Sequence, residues 1–184
     1  MASILNVDQI NNAAGTSAVT LDPSTGKASF PNSVTIPNGA TMPAGSVVQV
    51  VFNQYDTQTT IPNGVYTNSG LSASITPQSS TSKILILVRP HLRIFSSNAD
   101  TGLGFRILRN NTDTVFVSNT SYDTYVYDNG AHSEFRGGLF FQAFDAPATT
   151  ASTSYTLQGV SYAGTVSMQN AGNHSQITLM EIAQ

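Results

Sequence analysis

Nowhere in the chain does a window of twelve or more residues carry the i, i+3, i+4, i+7 apolar spacing of an amphipathic helix free of Gly, Pro or Thr clusters. Short runs rich in Val, Ile, Thr, Tyr and Phe recur instead, separated by Asn, Gly, Ser and Thr. This pattern restricts the chain to an all-β architecture. Strands are expected at Val47–Gln54, Gly64–Asn68, Leu71–Thr76, Lys83–Ile94, Gly104–Arg109, Thr114–Ser118, Tyr122–Tyr127, Glu134–Phe144, Ser154–Tyr162, Thr165–Met168 and Gln176–Ile182. About ten short strands in roughly 140 residues fit an antiparallel, jelly-roll-like sandwich.

Two runs predict how the faces are used. In KILILVRPHLRIF the even positions Ile84, Ile86, Val88, Leu92 and Ile94 make one apolar face. Leu85 and Leu87 on the odd side make its first half apolar on both faces, which predicts that the outer face meets another subunit. Phe135, Leu139 and Phe141 share one face of FRGGLFFQAF, with Phe140 and Phe144 on the other. In ITLMEIAQ, Ile177, Leu179 and Glu181 oppose Thr178, Met180 and Ile182.

Residues 1–45 have a different texture. SAVTLDPSTGKASF reads as a hairpin whose connection, Asp22 to Gly26, suits a type I turn followed by a left-handed residue. In FPNSVTIPNGATMPAG an apolar residue followed by proline recurs every six positions, at Phe30, Ile36 and Met42. Proline fixes φ and removes a donor, so a fully paired sheet is disfavoured there. Three extended chains around an axis would stack Phe30, Ile36 and Met42 as layers of a trimer neck. A segment this small carries too few large apolar residues to fold alone, and oligomerisation is the route left to it. The organisation read from the sequence is therefore a neck or anchor segment, 1–45, and a β-sandwich head, 46–184.

Composition narrows the function. Only 9% of residues are charged, and seven Lys and Arg stand against ten Asp and Glu, for a net charge of −3. A basic stripe for nucleic acid is absent. With no cysteine, disulfide frameworks and thiolate chemistry are excluded. No apolar run approaches the ~20 residues of a membrane span, so no membrane insertion is expected. His91, His132 and His174 lie far apart, without H-x-H or H-E-x-x-H spacing, so neither a metal nor a cofactor is expected. Asp100, Asp113, Asp123 and Asp128 all sit in turn-like contexts and do not mark the paired carboxylates of a glycan-cleaving enzyme. No catalytic residue is assigned.

Two groups of side chains are candidates for ligand or host contact. Arg89, His91 and Arg93 alternate along one strand and project to one face; they suit an acidic glycan, or cross-strand pairing with Glu134, Asp123 or Asp145. Tyr122, Tyr125 and Tyr127, in SYDTYVYD, suit sugar stacking from a loop, or packing at a strand edge.

The block SILNVDQINNAAGTSAVTLDPSTGKASFPNSVTIPNG resembles the N-terminal module of phage fibre and virion-surface proteins. SGLSASITPQSSTSKILILV, APATTASTSYTLQG and ITLMEIAQ resemble the head that follows it. The resemblance implies a non-enzymatic, homotrimeric virion protein with a tumour-necrosis-factor-like β-sandwich head. It would be assembled in the host cytoplasm and displayed on the virion surface. Residues 1–45 would join it to other virion proteins of the capsid or tail. It implies capsid decoration or a head fibre, or alternatively the receptor-binding module of a tail fibre that recognises a host cell-surface glycan.

Overall fold

A computed structural model describes residues 9–11, 17–26, 28–29, 42–96, 100–118, 123–128 and 133–184. The chain divides into two compact units, Met1–Ala40 and Thr41–Gln184. In the first, β1 (Gln9–Asn11), β2 (Ser17–Leu21) and β3 (Ala28–Ser29) form an antiparallel sheet in the order β1-β2-β3. The hairpin between β2 and β3 is closed by Asp22, whose Oδ1 accepts from the N–H groups of Ser24 at 2.8 Å and Thr25 at 2.9 Å. Gly26 follows in the left-handed region at φ +67°, the conformation its lack of a Cβ makes cheap.

The second unit is an antiparallel jelly roll. Its strands are β4 (Val47–Tyr55), β5 (Thr59–Ile61), β6 (Thr67–Ile75), β7 (Lys83–Arg89), β8 (His91–Ser96), β9 (Thr101–Arg109), β10 (Asp113–Val117), β11 (Thr124–Val126), β12 (Ser133–Gly138), β13 (Phe141–Asp145), β14 (Thr153–Tyr162), β15 (Thr165–Met168) and β16 (Ser175–Ile182). One layer is β10-β9-β14-β6, with β11 also on β9. The other runs β13-β7-β16-β4 and continues as β12-β8-β15-β5. Phe141 pairs with Val88 and Gly138 with His91, so the register passes Pro90 without a shift and the two four-stranded segments are one long sheet. Successive passes of the chain alternate between the layers as a jelly roll requires.

The core lies between the layers. Ile84, Ile86, Val88, Leu92, Ile94, Ile177 and Leu179 from the long sheet meet Leu71, Ile75, Leu103, Phe105, Ile107, Tyr155 and Leu157 from the other. Period-2 alternation puts them there, because every second side chain of a strand points inward. Phe135, Leu139 and Phe141 pack against this core, and Phe140 and Phe144 point out, as the alternation predicts. Across the end of the sandwich, Asp145 accepts from Arg109 Nη1 at 3.1 Å and from the Tyr155 hydroxyl at 2.7 Å. The tie links β13 of one layer to β9 and β14 of the other.

Several boundaries differ from expectation. β9 begins at Thr101, three residues before the expected Gly104. Gly64–Asn68 and Leu71–Thr76 are not two strands, since β6 runs through Gly70. Lys83–Ile94 and Glu134–Phe144 are each broken once, at Pro90 and at Leu139-Phe140, where the long sheet bends. Thr59–Ile61 is a strand the pattern does not reveal.

Gly70 sits at φ +83°, and a Cβ built on it would lie 2.1 Å from Tyr55 Cε1. Glycine inside a strand here marks a close approach rather than a turn. Gly70→Ala is expected to lower stability by about 2–4 kcal/mol, combining backbone strain and overpacking. Urea denaturation of the two proteins measures it; a loss below about 0.5 kcal/mol would mean that Tyr55 moves aside freely.

Candidate functional site

The long sheet has two faces, and the outer one is unusual. Cross-strand register aligns Val50, Met180, Leu85 and Phe144 in one row over β4, β16, β7 and β13. The next row is Phe52, Thr178, Leu87 and Gln142, and the row on the other side carries Val47, Ile182 and Lys83. Val47, Val50, Phe52 and Phe144 are between 49% and 58% exposed, while Leu85, Leu87, Met180 and Ile182 are half-buried between them. Together they present on the order of 500 Å² of apolar surface, given that one large aromatic side chain carries roughly 150–250 Å². An open cavity of about 430 Å³ lined by Lys83, Phe144, Asp145, Ala146, Ile182 and Gln184 adjoins the face.

The opposite layer provides an internal control. Its outward positions include Asn68, Ser72 and Ser74 on β6, Ser154, Thr156 and Gln158 on β14, and Arg106 on β9. Arg106 donates to Gln158 Oε1 at 2.7 Å and lies 4.0 Å over the Tyr66 ring. The outer face of this layer is thus mixed, its polar groups internally satisfied and interspersed with Leu108, Val117, Val160 and Tyr162, whereas the rows over β4, β16, β7 and β13 are mainly apolar. An antiparallel sheet that faced water on one side would alternate apolar-in and polar-out on both layers.

Beyond the apolar rows, the outer face of the long sheet turns basic. Arg89, His91 and Arg93 project to that face, and β12 sets Arg136 directly opposite Arg93 and Gly138 opposite His91. Glu134 Oε1 accepts from Nε of both Arg93 and Arg136. Those two bonds, Arg136 first, hold the Glu134 carboxyl below its ordinary range. The structure therefore realises the cross-strand pairing of Arg93 with Glu134, whereas Asp145 is taken by Arg109 across the two layers. Arg89 makes no hydrogen bond or ion pair among the described residues, and its guanidinium lies flat over Gly138, with Nε, Cζ and Nη2 3.2–3.3 Å from where a Cβ would stand. His91 Nδ1 is shielded from solvent without a hydrogen-bond partner. Burial, and then the charges of Arg89 and Arg136, hold its imidazole below the ordinary histidine pKa.

Of the tyrosines, Tyr125 on β11 donates its hydroxyl to Asp100 Oδ2, and Asp128 N–H donates to Asp100 Oδ1 at 2.8 Å. These bonds, the tyrosine's first, hold the Asp100 carboxyl below its ordinary range. Tyr125 fastens β11 to the start of β9, whereas Tyr127 is 68% exposed. Tyr122, Phe30 and Ile36 lie outside the described residues, so the structure places Met42 alone of the three neck positions. Met42 is half-buried.

Sequence reasoning missed Val50 and Phe52 as members of the apolar face, and Arg136 as the cation opposite Arg93. Their shared signal is register, which becomes readable only once strand partners are known. Among the described residues no group of three or more His, Asp or Glu side chains is gathered as a metal would need. No helix among them is long and apolar enough to cross a membrane.

No protein-family model and no curated protein sequence matches the chain. Among solved structures, it is similar to the VP2 subviral particle of infectious bursal disease virus at TM-score 0.40 and 16% identity, over 90% of this chain and 37% of that one. Infectious bursal disease virus of the Gx strain matches at TM-score 0.36 and 18% identity, over 90% and 36%. The Gt strain matches at 0.32 and 15%, over 91% and 42%. The chain spans well under half the length of these proteins, and at such scores the likeness assigns no function to it.

Proposed function

We propose that the chain is a non-enzymatic structural protein of a phage virion, a homotrimer anchored through residues 1–45 that projects its jelly-roll head from the particle surface as capsid decoration or a head fibre. The observation that carries the reading is the outer face of the long sheet. An apolar surface of this size falls within the upper range for a patch on an ordinary monomer, about 300–600 Å². With its half-buried neighbours and rim it approaches the ~800 Å² per partner of a standard interface. Further copies of the same chain around a three-fold axis are its natural cover, because the apolar rows carry a single charge, Lys83, and so little electrostatic penalty against one another. The number three, the phage and the virion come from the resemblance of the N-terminal block and of the head phrases.

A second reading, the receptor-binding module of a tail fibre recognising a host-surface glycan, is favoured by the exposed Tyr127 and by the basic end of the long sheet.

Labelling the chain and imaging intact particles tests the proposal directly. Label distributed over the capsid supports decoration, and label confined to one vertex supports the tail. Label absent from purified particles would sink the virion assignment. Removing residues 1–45 is expected to leave a folded, self-associating head that no longer joins the particle; unchanged incorporation by quantitative immunoblot would refute the anchor role.

A further inference from the structure

Three of the chain's seven Lys and Arg, namely Arg89, Arg93 and Arg136, fall within adjacent rows of one face of the long sheet. They do so in a chain whose net charge is −3. One carboxylate, Glu134, serves two of them. Like charges set directly opposite across strands are destabilising, and the patch keeps an excess of two positive charges before His91 is counted. A partner of opposite charge would relieve this.

We propose that Arg89, His91 and Arg136 bind the oxyanion of an acidic sugar, with Phe140 as the apolar platform for its ring. The geometry supplies each part. Arg89 has no partner among the described residues, and the absence of a side chain at Gly138 lets its guanidinium lie down toward His91. Arg136 uses Nε for Glu134, and among the described residues its terminal nitrogens have no hydrogen-bond partner. His91 contributes Nδ1, which is unsatisfied among the described residues and shielded from solvent, so the side chain covering it must shift for an oxyanion to reach it. An unpaired buried polar atom is costly, and an anion that accepts from the imidazolium removes the cost. Pairing of Phe141 with Val88 sets Phe140 beside Arg89, and Phe140 is 66% exposed. A bare phosphate would leave Phe140 unused, whereas the C–H face of a pyranose stacks on an aromatic ring.

The groups around His91 define the pH response. Arg89 on β7, Arg93 on β8 itself, and Arg136 and Glu134 on β12 carry the charge; Gln169, Ser175 and Gln176 on the remaining side are neutral. Binding of an oxyanion favours the imidazolium, so affinity rises as pH falls through the His91 titration.

This inference rests on the receptor-binding reading only for the source of the sugar, and the site is tested with soluble probes. The full chain is titrated with sodium glucuronate, glucose and inorganic phosphate, by calorimetry and by the His91 ring resonance. Glucuronate is expected to bind and glucose not. Arg89→Gln and Arg136→Gln should each weaken glucuronate about tenfold, the loss of a charge-assisted bond. Lys83→Gln, at the other end of the same face, should change nothing. Phe140→Ala should weaken glucuronate and leave phosphate unaltered, and His91→Gln should flatten the pH dependence. Equal binding of glucose and glucuronate, or no heat and no shift at about 100 mM glucuronate, overturns the site, since nothing weaker than this is specific. Phosphate binding as tightly as glucuronate, with Phe140→Ala silent, overturns the sugar. Adsorption of the labelled chain to host cells is measured separately: glucuronate binding without adsorption keeps the site and removes the receptor reading.

Discussion

Replacing Phe52 and Phe144 together by glutamate is expected to turn the proposed trimer into a folded monomer of 19.4 kDa. Both rings point away from the core and are more than half exposed in the single chain, so the head loses no internal packing. In the assembled state each phenylalanine would contribute about 1.5–3 kcal/mol by leaving water, and glutamate in its place would bury an unpaired carboxylate. Around a three-fold axis six such side chains are shared by three contacts, two losses per contact, which is enough to open an interface because a few central aromatic residues carry most of its energy. Size-exclusion chromatography with light scattering reads the outcome, with circular dichroism to verify the β fold. The wild-type chain should give three times the protomer mass. Ser74→Glu, on the outer face of the other layer, should leave that mass unchanged. A wild-type monomer at micromolar concentration, or a double variant that stays trimeric, would remove the interface from this face.

How much of this was legible before the fold was known depends on whether a signal is local. Ile84, Ile86, Val88, Leu92 and Ile94 announce a core face because period 2 is written within one strand, and the alternation continues through Pro90. The outward Leu85, Leu87, Phe140 and Phe144 are readable on the same ground. Val50 and Phe52 are not, because their row with Met180, Leu85 and Phe144 exists only through the pairing of β4 with β16 and of β16 with β7. Gly70 misled for a physical reason: a positive-φ glycine within a strand has the sequence signature of a turn, and the contact with Tyr55 that requires it is fifteen positions away. Arg136 falls inside the strand expected over Glu134–Phe144, but its place opposite Arg93, and Gly138 left bare beneath Arg89, follow only from the pairing of β12 with β8. Jelly-roll topology as such needed no long-range information beyond strand count and alternation, and that part of the reading holds.

Glu181 shows the same limit from inside the molecule, and removing its acceptors is expected to produce the largest loss of stability. It lies on the inward side of β16 in line with Ile177 and Leu179, and is fully buried. Burial alone would raise its pKa. Against that, Gln49 Nε2 donates to Oε2 at 2.6 Å, the N–H groups of Gln78 and Ser79 donate to Oε1 at 2.8 and 3.3 Å, and the Ser82 side chain adds a further bond. The net result is a carboxyl held below its ordinary range. The carboxylate is thus the acceptor that organises the turn between β6 and β7. Its partners are scattered from position 49 to position 82, which is why the sequence offers no motif for it. Glu181→Ala leaves the N–H groups of Gln78 and Ser79 and the Ser82 side chain without their acceptor, while Gln49 Nε2 keeps Thr76 O, and should cost about 3–5 kcal/mol. Glu181→Gln retains one acceptor but turns an amide toward the donors, and should cost about 2–3 kcal/mol. The sign of the pH effect follows from the direction of the shift. A carboxyl whose folded-state pKa is depressed contributes stability above its unfolded pKa and loses it as pH falls through the folded value. Asp100 and Glu134 are depressed as well, so the informative quantity is the difference between the wild type and Glu181→Gln. Urea midpoints measured from about pH 7 down to about pH 3 should therefore converge as the wild-type carboxylate takes up its proton. Curves that stay parallel over that range would mean that Glu181 is not ionised in the folded head.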